Sequence, residues 1–236
     1  VNKAGLVYHS RLFLARKGRL KMKQNAKAPF SVLYEDGNMV AVYKKQKILS
    51  VATDDEKTFH QNLLSYLRKD LHFPVYLVHR LDYETSGVMV FAKDVKTQNT
   101  LKDCFEKRTV KREYEAVVKE EIPAGKVFEV KQLLEESKNG TVTVVDKGGK
   151  EAITRIVAGN RIQIGTALHI EIETGRKNQI RLALQSLGLT LVGDPHSDKE
   201  EAKRMYLNGY RLSFPKDAIL KQDCFETKPL WLIEQK

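Results

Sequence analysis

The stretch HRLDYETSG, residues 79–87, places two basic side chains, two acids and two hydroxyls in nine positions. It lies between the apolar runs VYLV and VMVFA, which read as strands. A carboxylate in such a loop, here Asp82, can cap backbone amides, pair with an arginine, or act as a base or nucleophile. A turn capped by Asp82, with Thr85 and Ser86 adding hydrogen bonds before Gly87, would account for the stretch by itself. A second cluster shifts the balance. GRKNQIR (175–181) puts Arg176, Gln179 and Arg181 where a helix begins, and a helix N-terminus carrying two arginines is a natural anion site. If that helix faces the loop, Arg181 can pair with Asp82 and favour its charged form, leaving Arg80 for a phosphate. A charged carboxylate among basic groups suits attack on a sugar carbon or removal of a sugar proton. It suits metal binding poorly, because the cations compete.

The elements that must hold these residues follow from periodicity. TFHQNLLSYLRKD (58–70) has Phe59, Leu63, Leu64 and Leu67 at helical spacing, with Thr58 as the expected cap. Residues 75–78 and 87–92 read as strands around the loop, and 95–107 as a helix with Leu101, Cys104 and Phe105 on one face. VKREYEAVV (110–118) alternates as a half-buried strand. Segments 126–134, 141–145 and 151–157 continue the strand rhythm across turns at Asn139-Gly140 and Gly148-Gly149. RIQIGTALHIEIE (161–173) predicts a hairpin turning at Gly165-Thr166. The helix after Gly175 should turn Ile180, Ala183, Leu184 and Leu187 inward and stop at Gly188; residues 207–214 form a late strand. Many strands with few crossovers predict an α+β domain, a mixed and largely antiparallel sheet with flanking helices.

Composition narrows the partner. The 236 residues carry 41 Lys and Arg against 30 Asp and Glu, a net charge of +11, and residues 1–34 contain eight cations and no acid. A polyanion is the natural partner for such a surface. Residues 1–28 read as a basic arm and 29–236 as the globular unit; VNKAGLVYHSRLFLARKGRLKM also resembles, faintly, the last part of an S4-like RNA-binding domain, of which the arm would then be a remnant. No apolar run approaches the length of a membrane span, and no secretory segment is expected near Val1. Two cysteines without a C-x-x-C pair, Cys104 and Cys224, fit a reducing cytoplasm. His60 and His72 lack metal-ligand spacing to a neighbouring acid, so no metal is expected.

HRLDYETSGVMVFAKD resembles the signature of the RluA-type pseudouridine synthases, H-R-L-D-x-x-T-S-G, and matches it at His79, Arg80, Leu81, Asp82, Thr85, Ser86 and Gly87. Three further blocks resemble the family in the same order: RTVKREYEAVV, which holds Tyr114 after a basic pair, GGKEAIT, and GRKNQIRLALQSLGLTLVGDP. Together they span roughly residues 30–235. The resemblance implies an enzyme that isomerises a uridine within RNA to pseudouridine without cofactor, metal or energy source. It implies that Asp82 is the catalytic acid group, that Tyr114 stacks on the target base and serves in the last proton transfer, and that Arg181 pairs with Asp82. Arg80 would hold the flipped nucleotide by its phosphate, Leu81 and Ile180 would wall the pocket, and Thr85, Arg176 and Gln179 would contact substrate. Ribosomal RNA is expected ahead of transfer RNA, with a monomeric protein in the cytoplasm.

The chain also departs from the family pattern. N-K-P-x-G after the second strand is here Y-K-K-Q-K, with Lys45 and Lys47 at the proline and glycine positions. G-R-T-H-Q-I-R is G-R-K-N-Q-I-R, a usual histidine is Ala183, and the late L-H-A is L-N-G (207–209). Two rival readings remain at this stage. One is a catalytically idle RNA-binding or ribosome-assembly factor, which need not keep Asp82, Tyr114 and Arg181 together. The other is a glycosidase, which requires two facing carboxylates.

Overall fold

A computed structural model describes residues 28–200, 202–216 and 220–227. The basic arm therefore lies, but for its last residue, outside the described residues, as does Trp231. These residues form eleven strands and three α-helices: β1 Phe30–Glu35, β2 Met39–Lys44, α1 Leu63–Asp70, β3 Tyr76–Leu77, β4 Ser86–Ala92, α2 Val95–Glu106, β5 Lys111–Val118, β6 Val127–Glu136, β7 Val142–Val145, β8 Lys150–Ile162, β9 Gly165–Ile172, α3 Gln179–Ser186, β10 Leu207–Ser213 and β11 Cys224–Glu226. They form one sheet in the order β1-β2-β4-β10-β5-β9-β8-β6-β7, with β3 on β4 and β11 on β10. Among the described residues every pairing of named strands is antiparallel except β4 with β10, so the mixed, largely antiparallel sheet is borne out.

β4 is buried along its whole length because the sheet is covered on both faces. Met89 and Phe91 point into one apolar cluster with Leu63 and Leu67 of α1 and Ile180, Ala183 and Leu184 of α3. Val88 and Val90, one position out of phase, join a second cluster with Leu101 of α2, Leu212 and Phe225. Phe225 is thereby the anchor of the last described strand, in ring contact with Tyr34 and Phe214.

Where β4 and β10 run side by side, Gly87 faces Gly209. A Cβ on Gly87 would lie 2.4 Å from the Gly209 carbonyl oxygen, so glycine ends the signature loop because the two backbones touch there. Next to it, the Ser86 hydroxyl donates to Asn208 Oδ1 at 2.8 Å and accepts from Arg204 Nη2 at 2.6 Å.

Two expected boundaries move. The helix expected from Thr58 begins at Leu63, capped by Asn62, whose Oδ1 accepts the Ser65 N–H at 3.0 Å. Thr58 instead closes a 3-10 turn, its hydroxyl donating to the Asp55 carbonyl at 2.7 Å, and Phe59 is half exposed rather than inward. The β8–β9 hairpin turns at Gln163-Ile164, with Gly165 already paired to Ile162. Gly165 serves strand packing, not the turn: a Cβ there would stand 2.1 Å from the Val118 carbonyl of β5.

Candidate active site

The segment between β3 and β4 is held from four sides. Val90 donates its N–H to His79 Nε2 at 3.1 Å, which leaves the proton of the neutral ring on Nδ1. The imidazole stacks on Phe105 of α2 at 4.7 Å. Burial, reinforced by the charge of Arg112, pushes the His79 pKa down to about 3, so the ring stays neutral. The Ser50 hydroxyl accepts the Leu81 N–H and donates to the Leu81 carbonyl at 2.6 Å. Thr85 closes the turn by donating its N–H to the Asp82 carbonyl at 3.1 Å. The Tyr83 carbonyl accepts from the Lys47 N–H at 2.9 Å and from Lys44 Nζ at 3.3 Å.

Lys44 was not among the expected site residues, although its position carried a signal. It continues the Val40, Val42 face of β2 into the core and is fully buried. Its ammonium also donates to the Ile48 and Lys45 carbonyls at 2.8 and 3.1 Å. Burial draws its pKa down to about 7, against the opposing pull of Asp82 and Glu84. The turn it braces contains Lys47 at φ 58°, a left-handed conformation at the position where the family pattern has glycine. The departure Y-K-K-Q-K therefore keeps a glycine-like turn in a residue that resists it.

Asp82 is half-buried at the wall of a cleft of about 810 Å³, between the signature loop and the N-terminus of α3. Its Oδ2 accepts the N–H of Asn178, the residue before α3, at 3.2 Å. Asn178 stands at φ 56°, a conformation asparagine tolerates better than most residues, which aims its N–H at the loop. So the helix does face the loop, but the contact is not the one expected. Arg181 grips Asp194 instead, through Nη2–Oδ1 at 2.6 Å and Nε–Oδ2 at 3.1 Å. It reaches the Asp82 neighbourhood only through Nη1, which donates to Asn178 Oδ1 at 3.2 Å. The sequence offered Asp82 as the obvious acid, but Asp194 lies closer along the chain and meets the guanidinium with both oxygens. Burial works against charging Asp194, yet the Arg181 hydrogen bonds and the His196 N–H prevail and hold its carboxyl below the usual range.

Tyr114, on β5, lines the same cleft and is buried, its ring lying against Gly209, where an added Cβ would meet Cε1 at 3.2 Å. Burial pushes its pKa up to about 12, so the side chain rests as a phenol. Leu81 and Ile180 are buried apolar walls, and Thr85 is buried beside them. Arg80 is exposed at the rim. Arg176 lines the cleft with its Nε donating to the Glu151 carbonyl at 3.0 Å. Gln179 is committed to the protein: its Oε1 accepts from Thr174 and from the Arg176 N–H, and its Nε2 donates to Ile153 and Thr154. That amide shapes the 174–177 loop and has no donor to spare for substrate.

A family profile for RNA pseudouridylate synthase matches residues 38–186. The chain is 34% identical over 169 residues to ribosomal large subunit pseudouridine synthase D of Vibrio cholerae, covering 70% of this chain and 52% of that protein. It is 33% identical over 173 residues to the uncharacterized RNA pseudouridine synthase YhcT of Bacillus subtilis, covering 69% of this chain and 56% of that one. Among solved structures, human RNA pseudouridylate synthase domain containing 1 superposes with a TM-score of 0.67 at 20% identity, over 87% of this chain and 85% of its own. The chain belongs to the RNA pseudouridylate synthase family. It spans about half the length of the curated relatives it matches. Among the described residues, no helix is long and apolar enough to cross a membrane.

Proposed function

We propose that this protein isomerises uridine in RNA to pseudouridine, with residues 29–236 as the catalytic unit and Asp82 as the group that opens the reaction. The observation that carries the reading is the presentation of Asp82: a carboxylate on a loop held by His79, Ser50, Lys44 and Lys47, its Oδ2 on the Asn178 N–H, facing a cleft whose other wall is Tyr114. The target uridine leaves its stack, and the ring of Tyr114 returns part of that energy by stacking on the base. Asp82 either attacks C1′ or removes the C2′ proton; both break the C1′–N1 bond. Buried Leu81 and Ile180 keep the detached uracil from escaping while it turns to present C5. Rejoining through C5 releases the C5 hydrogen. Tyr114 enters as a phenol, so it gives its proton to N1 of the detached uracil and, as phenolate, takes the hydrogen that leaves C5.

Arg80, at the rim, is the contact for the flipped nucleotide's phosphate, and Arg176 lines the same cleft. Arg181 acts as a positioning residue, setting Asn178 rather than touching Asp82. Ribosomal RNA is the substrate class this reading favours, supported by the name of the Vibrio cholerae relative, and the setting is a cytoplasmic, monomeric protein. The test uses unmodified transcripts labelled with tritium at C5 of uridine, ribosomal and transfer RNA separately, with wild type and Asp82→Asn. Release by wild type alone is expected, with ribosomal RNA the responsive substrate. Intact binding with no release from either RNA would replace the isomerase by an idle RNA-binding factor.

A further inference from the structure

Two residues before Tyr114 on the same face of β5, Arg112 is 8% exposed and lines the cleft. Its Nη2 donates to the Glu173 carbonyl, while its Nε is buried without a partner. Among the described residues no carboxylate forms an ion pair with it. Its guanidinium carbon lies 5.9 Å from the Phe105 ring, a weak substitute for an anion. Burial lowers its pKa from the ordinary arginine value; Tyr114 opposes that shift, and the charges of Arg108 and Arg176 add to it. All three arginines line the cleft, and Arg112 Nη1 lies against Gly175, the neighbour of Arg176, where an added Cβ would stand 2.6 Å from it. The Glu151 carboxylate pairs with the exposed Arg108 at 3.4 Å, its backbone carbonyl accepts from Arg176, and Glu136 is bound to Lys177 at 2.8 Å.

A buried charge without a counter-ion is expensive, and a fold keeps one where a partner arrives from outside. We propose that Arg112 is the seat of an RNA backbone phosphate beside the flipped uridine, with Arg108 and Arg176 closing over it from the mouth of the cleft. This rests on the reading of the cleft as an RNA isomerase site. A phosphodiester suits this guanidinium better than a base does. Its two free oxygens match the planar fork and its charge neutralises the guanidinium, whereas a uracil carbonyl takes one N–H and leaves the charge unmet. The seat lies beside Tyr114 on the sheet, and Arg80 lies on the opposing loop. The nucleotide would be held by its backbone on both sides of the base.

The experiment measures binding of the unmodified ribosomal RNA transcript against salt concentration, together with steady-state tritium release, for wild type and Arg112→Gln. Loss of one phosphate contact lowers the slope of log affinity against log salt by about 0.7 for single-stranded RNA. The expected result is that reduced slope, with KM raised roughly tenfold or more and kcat changed less than KM. A folded Arg112→Gln, verified by its thermal melt, with wild-type slope and KM overturns the proposal. Should Arg112→Gln fail to fold, the exposed Arg108→Gln decides: a reduced slope supports the seat and a wild-type slope overturns it. Wild type that binds RNA but releases no tritium sinks the isomerase reading, while the slope still tests the seat. Tritium release by wild type with an unchanged Arg112→Gln slope sinks the seat alone.

Discussion

Arg181 and Asp194 form a two-pronged, largely buried ion pair at the start of α3, and Asp82 accepts a backbone N–H from Asn178 instead of a guanidinium. The arginine and the signature aspartate are linked in series through Asn178, so the charge pair sets where Asp82 is held. Removing one member of a buried pair strands the other, so Asp194→Asn should lower stability by about 3 kcal/mol. Its pH dependence has a definite sign. The folded-state pKa of Asp194 lies below the unfolded one, so the stabilisation is present above the ordinary carboxylate range. It fades as pH falls through the depressed folded value. Urea unfolding at neutral and strongly acidic pH should show the gap between wild type and Asp194→Asn closing on acidification; a pH-independent gap would refute this account.

Lys44 predicts a slope of the same sign at the other end of the pH scale. Its folded pKa of about 7 is below the unfolded value of 10.5, so between these the unfolded chain binds more protons. Its contribution to stability should therefore rise as pH increases from 7 to 10 and level off beyond. Full development of that shift is worth on the order of 5 kcal/mol, an upper bound for a buried group. Lys44→Met removes the titration and leaves three carbonyls without the ammonium. The decisive comparison is slope, not level: wild type should gain stability from pH 7 to 10 relative to Lys44→Met, and parallel curves would show that Lys44 stays charged in the fold.

Much of this arrangement is visible in the sequence where local periodicity and burial agree. β4 and β5 lie within a residue or two of their expected positions, because apolar and β-branched runs bounded by polar loops mark strands whose two faces are both covered. The signature loop names Asp82, and the G-R-x-x-Q-I-R block names the helix that faces it. The partner of Arg181 is not visible, because a sequence shows which charges exist and not which of two acids lies within reach of a guanidinium. Arg112 reads as part of a basic pair on a half-exposed strand; only the three-dimensional cover of β9 and the 173–176 loop makes it a buried, unpaired charge. The start of α1 is misplaced because Thr58 and Asn62 are both good caps, and a 3-10 turn takes the first.

Tyr114 separates ring from hydroxyl. If stacking on the flipped base is its main binding role, Tyr114→Phe should keep RNA affinity within a few-fold, while Tyr114→Ala weakens it by about 1–3 kcal/mol. The phenol contributes only after binding, so Tyr114→Phe should lower kcat in tritium release with little change in KM. Equal loss of affinity in both variants would assign the hydroxyl, not the ring, to binding.

Lys47 offers a gain of stability rather than a loss. At φ 58° its Cβ is held in the left-handed region, which disfavours an L side chain by about 1–2 kcal/mol. Glycine adopts that conformation freely but loses more chain entropy on folding, about 0.5–1 kcal/mol. The Lys47 N–H that donates to the Tyr83 carbonyl is kept in either residue. Lys47→Gly should therefore raise unfolding stability by about 0.5–1 kcal/mol, measured by urea titration with unchanged m value. Because the same turn braces the Asp82 loop, activity should survive the change. A destabilised Lys47→Gly would mean that the lysine side chain makes a compensating contact that outweighs the backbone strain.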